Sequence, residues 1–153
     1  MKAIKALLML AALSMPLVAF ALEGDEQVEY TDAIGAGNMK VVKKYLDAKK
    51  VEIDEKFFAW SGLQIAANKN QLGMVKFFAE NGADINYRHP VTKMTALNLA
   101  AYDDHEDIVK YLLSKGADPN IKMRGGVSIL KAVKDIGNTK MAELLEAAGA
   151  KEE

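Results

Sequence analysis

Few side chains in this sequence are of a type that carries out chemistry. Its 153 residues include two histidines, His89 and His105, and no cysteine. Nucleophilic hydrolysis needs a serine or cysteine beside a base that a third group orients. No such set is indicated by the sequence. We therefore expect no catalytic residues and no enzymatic activity.

One acidic run is the best candidate for a metal site or for acid–base chemistry. Residues 103–107 read Asp-Asp-His-Glu-Asp, which places four carboxylates around one imidazole. Such groups bind divalent ions, but no second cluster completes a coordination sphere. Carboxylates at the start of a helix also meet its unpaired amides and the positive end of its dipole. The run favours helix capping and predicts no metal or cofactor, and a metal-dependent or acid–base enzyme is the alternative from another class.

The start of the chain has the pattern of an export signal. Lys2 and Lys5 precede a short apolar run, and small residues two apart end at Ala21. This pattern predicts a signal peptide over residues 1–21 and secretion to the periplasm. The apolar run is too short for a convincing membrane span, so we expect no membrane insertion after cleavage. An uncleaved amphipathic anchor is the competing interpretation.

The charge and length of the chain limit its class. The sequence has 20 Lys and Arg against 21 Asp and Glu, for a formal net charge of −1. A broad basic footprint for nucleic acid is therefore not expected. Residues 22–153 are enough for one ordinary domain, and we expect a monomer in the absence of a partner.

The elements that must position any site come from an internal repeat. Residues 95–101 match 61–67 in sequence, and Gly-Ala-Asp-Pro-Asn at 116–120 matches Gly-Ala-Asp-Ile-Asn at 82–86. Each copy has a short and then a longer apolar segment at helical spacing, followed by a glycine that can end the second helix. The spacing predicts about four stacked helix pairs, over residues 28–56, 57–90, 91–123 and 124–150.

This unit resembles the ankyrin repeat, whose usual form is T-P-L-H-x-A-A near its start and G-A-D-x-N near its end. Ala96 replaces the usual proline and Asn98 the usual histidine, with Gln64 and Lys131 at the histidine position of other copies. His105 occupies the Gly-His position that ankyrin repeats use structurally. The resemblance implies an all-α ankyrin-repeat solenoid with projecting loop or β-hairpin fingers and a concave surface that grips proteins.

The loops between repeats hold the candidate binding residues. We expect Phe57 and Trp60 to be exposed and Phe58 to cover the edge of the first copy, and we expect Tyr87 and Arg88 at the tip of a second loop that is one residue long for the family. Aromatic residues and arginine are favoured at the energetic centres of interfaces. The alternative is that these are ordinary polar loops. The predicted partner-binding residues are Phe57, Trp60, Tyr87, Arg88, His89, Lys93, Tyr102, Lys122, Met123 and Arg124.

A small ankyrin chain with a signal peptide resembles the self-protection, or immunity, proteins that some bacteria, including predatory ones, keep in the periplasm. That resemblance implies a protein that inhibits a peptidoglycan hydrolase, such as a penicillin-binding-protein-like D,D-endopeptidase or carboxypeptidase, by occluding its active-site cleft. Two alternatives in the same binding class are an immunity protein for a lipase-type effector and a stress-related accessory of a periplasmic redox enzyme.

Overall fold

The structure is a computed structural model that describes residues 22–152, and the predicted signal peptide lies outside the described residues. The described part forms four pairs of antiparallel helices, so the predicted all-α repeat stack is confirmed. The first helix begins at Gly24, four residues before the predicted start of the first repeat. The helices are α1 (Gly24–Gly35), α2 (Met39–Asp47), α3 (Gly62–Asn68), α4 (Leu72–Glu80), α5 (Ala96–Tyr102), α6 (Glu106–Ser114), α7 (Ile129–Asp135) and α8 (Thr139–Ala147).

Two smaller elements lie in the loops. A two-stranded antiparallel hairpin joins β1 (Lys56–Phe57) to β2 (Trp60–Ser61) between the first and second helix pairs. A short 3-10 turn spans Arg124–Gly126 before the last pair. Both elements lie in the loops between helix pairs, and Phe57 of β1 contributes its side chain to the core.

The short inner helices stack on one another to make the body of the solenoid. Helix α3 packs against α1 and α5, and α5 packs against α7. Each helix pair has one apolar face that it cannot cover alone, so the next pair covers it. One hydrophobic core therefore runs through all four repeats, with Ile34, Phe78, Leu112 and Leu145 among its fully buried side chains.

Hydroxyl residues begin the three inner helices that follow a loop, and they are Ser61, Thr95 and Ser128. In the second repeat Gln64 completes a capping box with its helix start. Its Nε2 also donates to the carbonyl oxygens of Tyr87 and Met94, at 3.3 and 2.8 Å. Gln64 therefore ties its own helix to the loop of the next repeat.

The equivalent residue of the third repeat, Asn98, is one methylene shorter and makes fewer bonds. Its Oδ1 accepts from the Thr95 amide at 2.9 Å, but its buried Nδ2 has no hydrogen-bond partner among the described residues. A buried donor without a partner loses its hydration and gains nothing in return.

We expect Asn98→Gln to raise the free energy of unfolding by about 1 kcal/mol, because the longer side chain can reach the following loop as Gln64 does. The melting temperature should rise by about 3–5 °C, measured by thermal and chemical denaturation. The matched control is Gln64→Asn, which shortens the side chain that already bridges two repeats and should lower stability. A neutral or destabilising Asn98→Gln would contradict this explanation.

The recurring Gly-Ala-Asp-x-Asn motif also connects repeats. The Asp84 carboxylate accepts from the amide of Asn86 at 3.0 Å, which closes a local turn. Asn86 then accepts from the amide of Asp118 in the next repeat at 2.9 Å, and Asn120 accepts from the amide of Lys151 at 2.9 Å. The motif therefore sets the spacing between repeats, which explains why it recurs in fixed register.

Candidate partner-binding surface

The loops that join successive repeats form the candidate site, and we call them fingers. Finger one comprises residues 56–61, finger two residues 85–94 and finger three residues 119–127. Each finger leads into an inner helix, so its position is fixed by the helix cap that follows it.

Finger one is a tight hairpin in which Phe57 pairs with Trp60. The two turn residues between them, Phe58 and Ala59, have φ angles of 51° and 69°, as the two central residues of a type I′ turn require. Paired residues on adjacent strands share one face of a hairpin, and on this face Phe57 packs into the core while Trp60 is partly exposed.

This geometry corrects the expectations for two phenylalanines. Phe57 is buried, with 3% of its surface exposed and its ring centroid 5.1 Å from that of Tyr30. Phe58 projects from the turn and is 78% exposed. The prediction that Phe57 is exposed is wrong, and so is the prediction that Phe58 covers the edge of the first repeat.

Finger two reverses direction at residues 90–93. The amide of His89 donates to the carbonyl of Met94 at 3.0 Å, and the buried His89 ring accepts at Nδ1 from the amides of Val91 and Thr92 at 3.3 and 3.2 Å. The imidazole therefore fills and caps the inside of the turn. Tyr87 and Arg88 lie on the arm leading to this turn, and not at its tip as the sequence suggested.

Fingers one and two are joined by the aromatic residues that the sequence indicated as binding residues. The Trp60 and His89 rings stack with centroids 4.0 Å apart. The Tyr87 hydroxyl donates to the carbonyl of Ala59 at 2.9 Å, and the Lys56 ammonium lies 4.3 Å from the Tyr87 ring centroid. These contacts fix one finger against the other, and they leave Trp60 and Tyr87 only partly exposed.

Finger three is attached to finger two through backbone groups. The Arg88 guanidinium donates to the carbonyl of Lys122 at 3.1 Å, and the amide of Arg124 donates to the carbonyl of Thr92 at 2.8 Å. Met123 is partly buried and packs against the core. The three fingers therefore form one connected unit.

The exposed side chains of this unit differ from the predicted set. Of the ten predicted residues, His89 and Phe57 are buried, and the five that are exposed are Arg88, Lys93, Tyr102, Lys122 and Arg124. The sequence-based prediction missed Phe58 and Val91, which are exposed at the tips of fingers one and two. The two-residue spacing between the paired segments Lys-Phe and Trp-Ser is the signal that could have placed Phe58 in a turn.

A shallow apolar recess opens beside finger one, on the side of the inner helices. Phe58, Trp60 and Ile65 line it together with Lys69 and Asp32. The recess continues the exposed surface of the finger onto α1 and α3. A partner that contacts the tip of finger one can therefore also reach the inner face.

The acidic run at 103–107 connects neighbouring repeats. Glu106 lies in the first turn of α6, at the positive end of the helix dipole, but no side chain of the run caps this helix start by a hydrogen bond in the described residues. The Glu106 carboxylate is 2.6 Å from the ammonium of Lys140 on α8. The hydrogen bond from Lys140 holds the pKa of the Glu106 carboxyl below its ordinary value. Asp104 accepts from Asn138 at 2.8 Å. These ion pairs and hydrogen bonds give the run a structural role.

The remaining candidates for chemistry have structural contacts. His105 Nε2 lies 3.3 Å from the carbonyl oxygen of Asn68 in the preceding repeat. Within residues 22–152 there is no group of three or more histidine, aspartate or glutamate side chains placed to hold a metal ion. In the same part of the chain, no helix combines the length and apolar character needed to cross a membrane.

Comparison with known proteins identifies the repeat. A family model described as "Ankyrin repeats (3 copies)" matches residues 31–123. The chain is 31% identical over 77% of its length to Ankyrin repeat and SAM domain-containing protein 6 of Rattus norvegicus. It is 32% identical over 72% of its length to Palmitoyltransferase AKR1 of Kluyveromyces lactis, and 35% identical over 60% of its length to Protein phosphatase 1 regulatory subunit 27 of Mus musculus.

The chain spans 14%, 15% and 59% of these three relatives, respectively. The residues that the family model matches are the repeat region, and ankyrin repeats are protein-binding modules. The fourth helix pair, α7 and α8, lies beyond the residues that the family model matches, and its inner helix begins at a hydroxyl cap, Ser128, as α3 and α5 begin at Ser61 and Thr95. The chain belongs to the ankyrin-repeat family.

Proposed function

We propose that the mature chain acts in the periplasm as a non-enzymatic inhibitor of a peptidoglycan hydrolase. Its fingers would enter the active-site cleft of a penicillin-binding-protein-like D,D-endopeptidase or carboxypeptidase and exclude peptidoglycan, which protects the cell wall of the producing cell. One relative is named a regulatory subunit of a phosphatase, which is a precedent for an ankyrin chain that acts on an enzyme.

The observation that carries this proposal is the rigid connection of the three fingers. The stack of Trp60 on His89 and the hydrogen bond from Arg88 to the carbonyl of Lys122 hold neighbouring fingers in one arrangement. A preorganised surface loses less conformational entropy when it docks. Rigid fingers with exposed tips suit a surface that blocks a cleft.

The export step has its own test. Cell fractionation of the full chain carrying a C-terminal tag should recover it from the periplasmic fraction, with an N-terminus at Leu22 by mass spectrometry. Recovery from the cytoplasmic fraction with the first 21 residues intact would contradict the proposed location.

Inhibition is tested by adding the mature chain to a purified D,D-carboxypeptidase or endopeptidase of the producing organism. We expect hydrolysis of isolated peptidoglycan to fall by about tenfold or more at a small molar excess of the chain over the enzyme. The heat-unfolded chain is the control. Full hydrolase activity at saturating concentrations, or loss of lipase activity in a parallel assay with a periplasmic lipase, would contradict the proposal.

A further inference from the structure

Phe58 has a conformation and an exposure that folding does not require. It occupies the left-handed region at φ 51° and precedes a second left-handed residue, Ala59. Asparagine and glycine adopt these positions at lower cost than a bulky side chain does. Because Phe58 is 78% exposed, its ring gains little from burial in this chain. Strain of this kind, without a packing benefit, indicates a role in binding another molecule.

The fingers also carry positive side chains and no negative ones. Residues 56–61, 85–94 and 119–127 contain no Asp or Glu, although the chain has 21 of them. Lys56 in finger one lies 3.5 Å from the carboxylate of Asp54. The other four cations have no ion-pair partner in the described part of the chain, and they are Arg88, Lys93, Lys122 and Arg124.

These two features lie on one connected surface. Arg88 reaches across to finger three, and the backbone of Arg124 is held by finger two, so their positive charges are kept on neighbouring fingers. The Tyr87 hydroxyl connects finger two to the turn that carries Phe58. The turn that carries the apolar tip is therefore held against finger two, and the four unpaired cations lie on fingers two and three.

The chemistry of this surface selects a protein over a phosphate polymer or an anionic membrane. Asp32 lines the recess beside Phe58, and Asp103 is exposed at the end of α5. A continuous polyanion that followed the inner face would meet these carboxylates, whereas a folded protein can place its carboxylates opposite the fingers only. Complementary charge of this kind gives an interface its specificity and speed of association.

We propose that the finger tips dock on an acidic protein surface, with the Phe58 ring in an apolar pocket of the partner and the four cations of fingers two and three facing its carboxylates. The inference rests on the protein-binding role of the fingers in the proposed function. It does not require the partner to be a hydrolase.

Photo-cross-linking in the producing cells tests the contact. The full chain carries a benzophenone amino acid in place of Phe58, or, as a control, in place of Val28, which is exposed on α1. We expect a protein adduct from position 58 and little from position 28, with the cross-linked peptide in an Asp- and Glu-rich surface of its protein. No adduct at position 58, an adduct to nucleic acid or lipid, or a neutral or basic contact surface would overturn the proposal.

The identity of the cross-linked protein distinguishes the docking surface proposed here from the hydrolase inhibition proposed above. A non-hydrolase partner bound through an acidic surface would overturn the proposed function and support the docking surface. A hydrolase that cross-links from position 28 but not from 58 would support the function and overturn the docking surface.

Charge reversal in this chain tests the role of the four cations. Binding is measured to the purified partner that the cross-linking identifies. Lys93→Glu with Lys122→Glu should raise Kd by on the order of 10- to 100-fold, and the affinity of the unchanged chain should fall with added salt. Lys40→Glu with Lys151→Glu makes the same charge change at exposed residues outside the fingers and should alter Kd by less than about threefold. Equal effects of the two pairs would overturn the proposed role of the cations.

The role of the Phe58 ring is tested by replacing the two turn residues with residues that favour the left-handed region. Phe58→Asn with Ala59→Gly relieves the left-handed strain, so the variant should melt at the same or a higher temperature and yet bind the partner at least about tenfold more weakly. Loss of binding together with gain of stability would show that Phe58 serves the interface. Unchanged binding in this folded variant would overturn the role of Phe58.

Discussion

Replacing Gly62 by alanine lowers the free energy of unfolding by about 3 kcal/mol, the largest effect we expect from a single methyl group in this chain. A Cβ at position 62 would lie 2.4 Å from Cζ and 2.6 Å from Cε1 of the Phe78 ring. Phe78 is fully buried in the core, so the ring cannot leave its place without disturbing its neighbours. Urea denaturation with the far-ultraviolet circular dichroism signal measures this change.

The repeat itself supplies the compensating substitution. At the positions equivalent to Gly62 and Phe78, the third repeat has Ala96 with Leu112, so the extra methyl group of alanine accompanies a smaller partner side chain. We therefore expect Gly62→Ala combined with Phe78→Leu to recover most of the stability that Gly62→Ala loses. The two single variants and the double variant form a cycle that measures this coupling.

A second glycine provides the matched control for the first. Gly73 lies in α4, where an added Cβ meets no atom within 4 Å. Gly73→Ala should leave stability unchanged or raise it by up to about 1 kcal/mol, because alanine favours a helix more than glycine does. If Gly62→Ala costs no more than Gly73→Ala, the steric explanation is wrong.

The repeat could be predicted from the sequence because its signals either act within a few residues or recur at a fixed spacing along the chain. Asp84 bonds its own turn, and Asn86 bonds the backbone of the next repeat at a fixed spacing. Helix caps such as Ser61 also bond within three residues. Each signal fixes a local geometry, and the stack then follows from the apolar face that each helix pair must cover.

The exposure of the finger residues could not be predicted in the same way. The two-residue turn makes Phe57 and Trp60 cross-strand partners, which places Phe57 in the core and Trp60 against the His89 ring. The same turn directs Phe58 outward. One turn therefore decides which aromatic ring is buried, and the residue types alone do not reveal it.

The residue types that favour interfaces also favour contacts between loops. Trp60, Tyr87 and His89 were predicted to meet a partner, and in the structure they mainly meet one another and the backbone of finger one. Large rings with a polar edge suit both roles, because they bury area and still satisfy a hydrogen bond. Exposure has to be known before such residues can be assigned to a binding surface.

His89→Ala should lower the free energy of unfolding by about 2 kcal/mol, because the amides of Val91 and Thr92 lose their buried acceptor and Trp60 loses its stacked neighbour. We also expect binding of the partner to weaken by about tenfold or more, although His89 is itself buried, since the tip that carries Lys93 is no longer held in place. Urea denaturation and titration calorimetry measure the two effects.

The variant His89→Asn separates the hydrogen bonds of this histidine from its ring. An asparagine carbonyl can accept from an amide two residues ahead, so this variant should keep the turn of finger two and lose only the stack on Trp60. Hydrogen exchange at the amides of Val91 and Thr92 should therefore accelerate strongly in His89→Ala and weakly in His89→Asn. Equal exchange in both variants would mean that the stacked ring, and not the acceptor nitrogen, holds the finger.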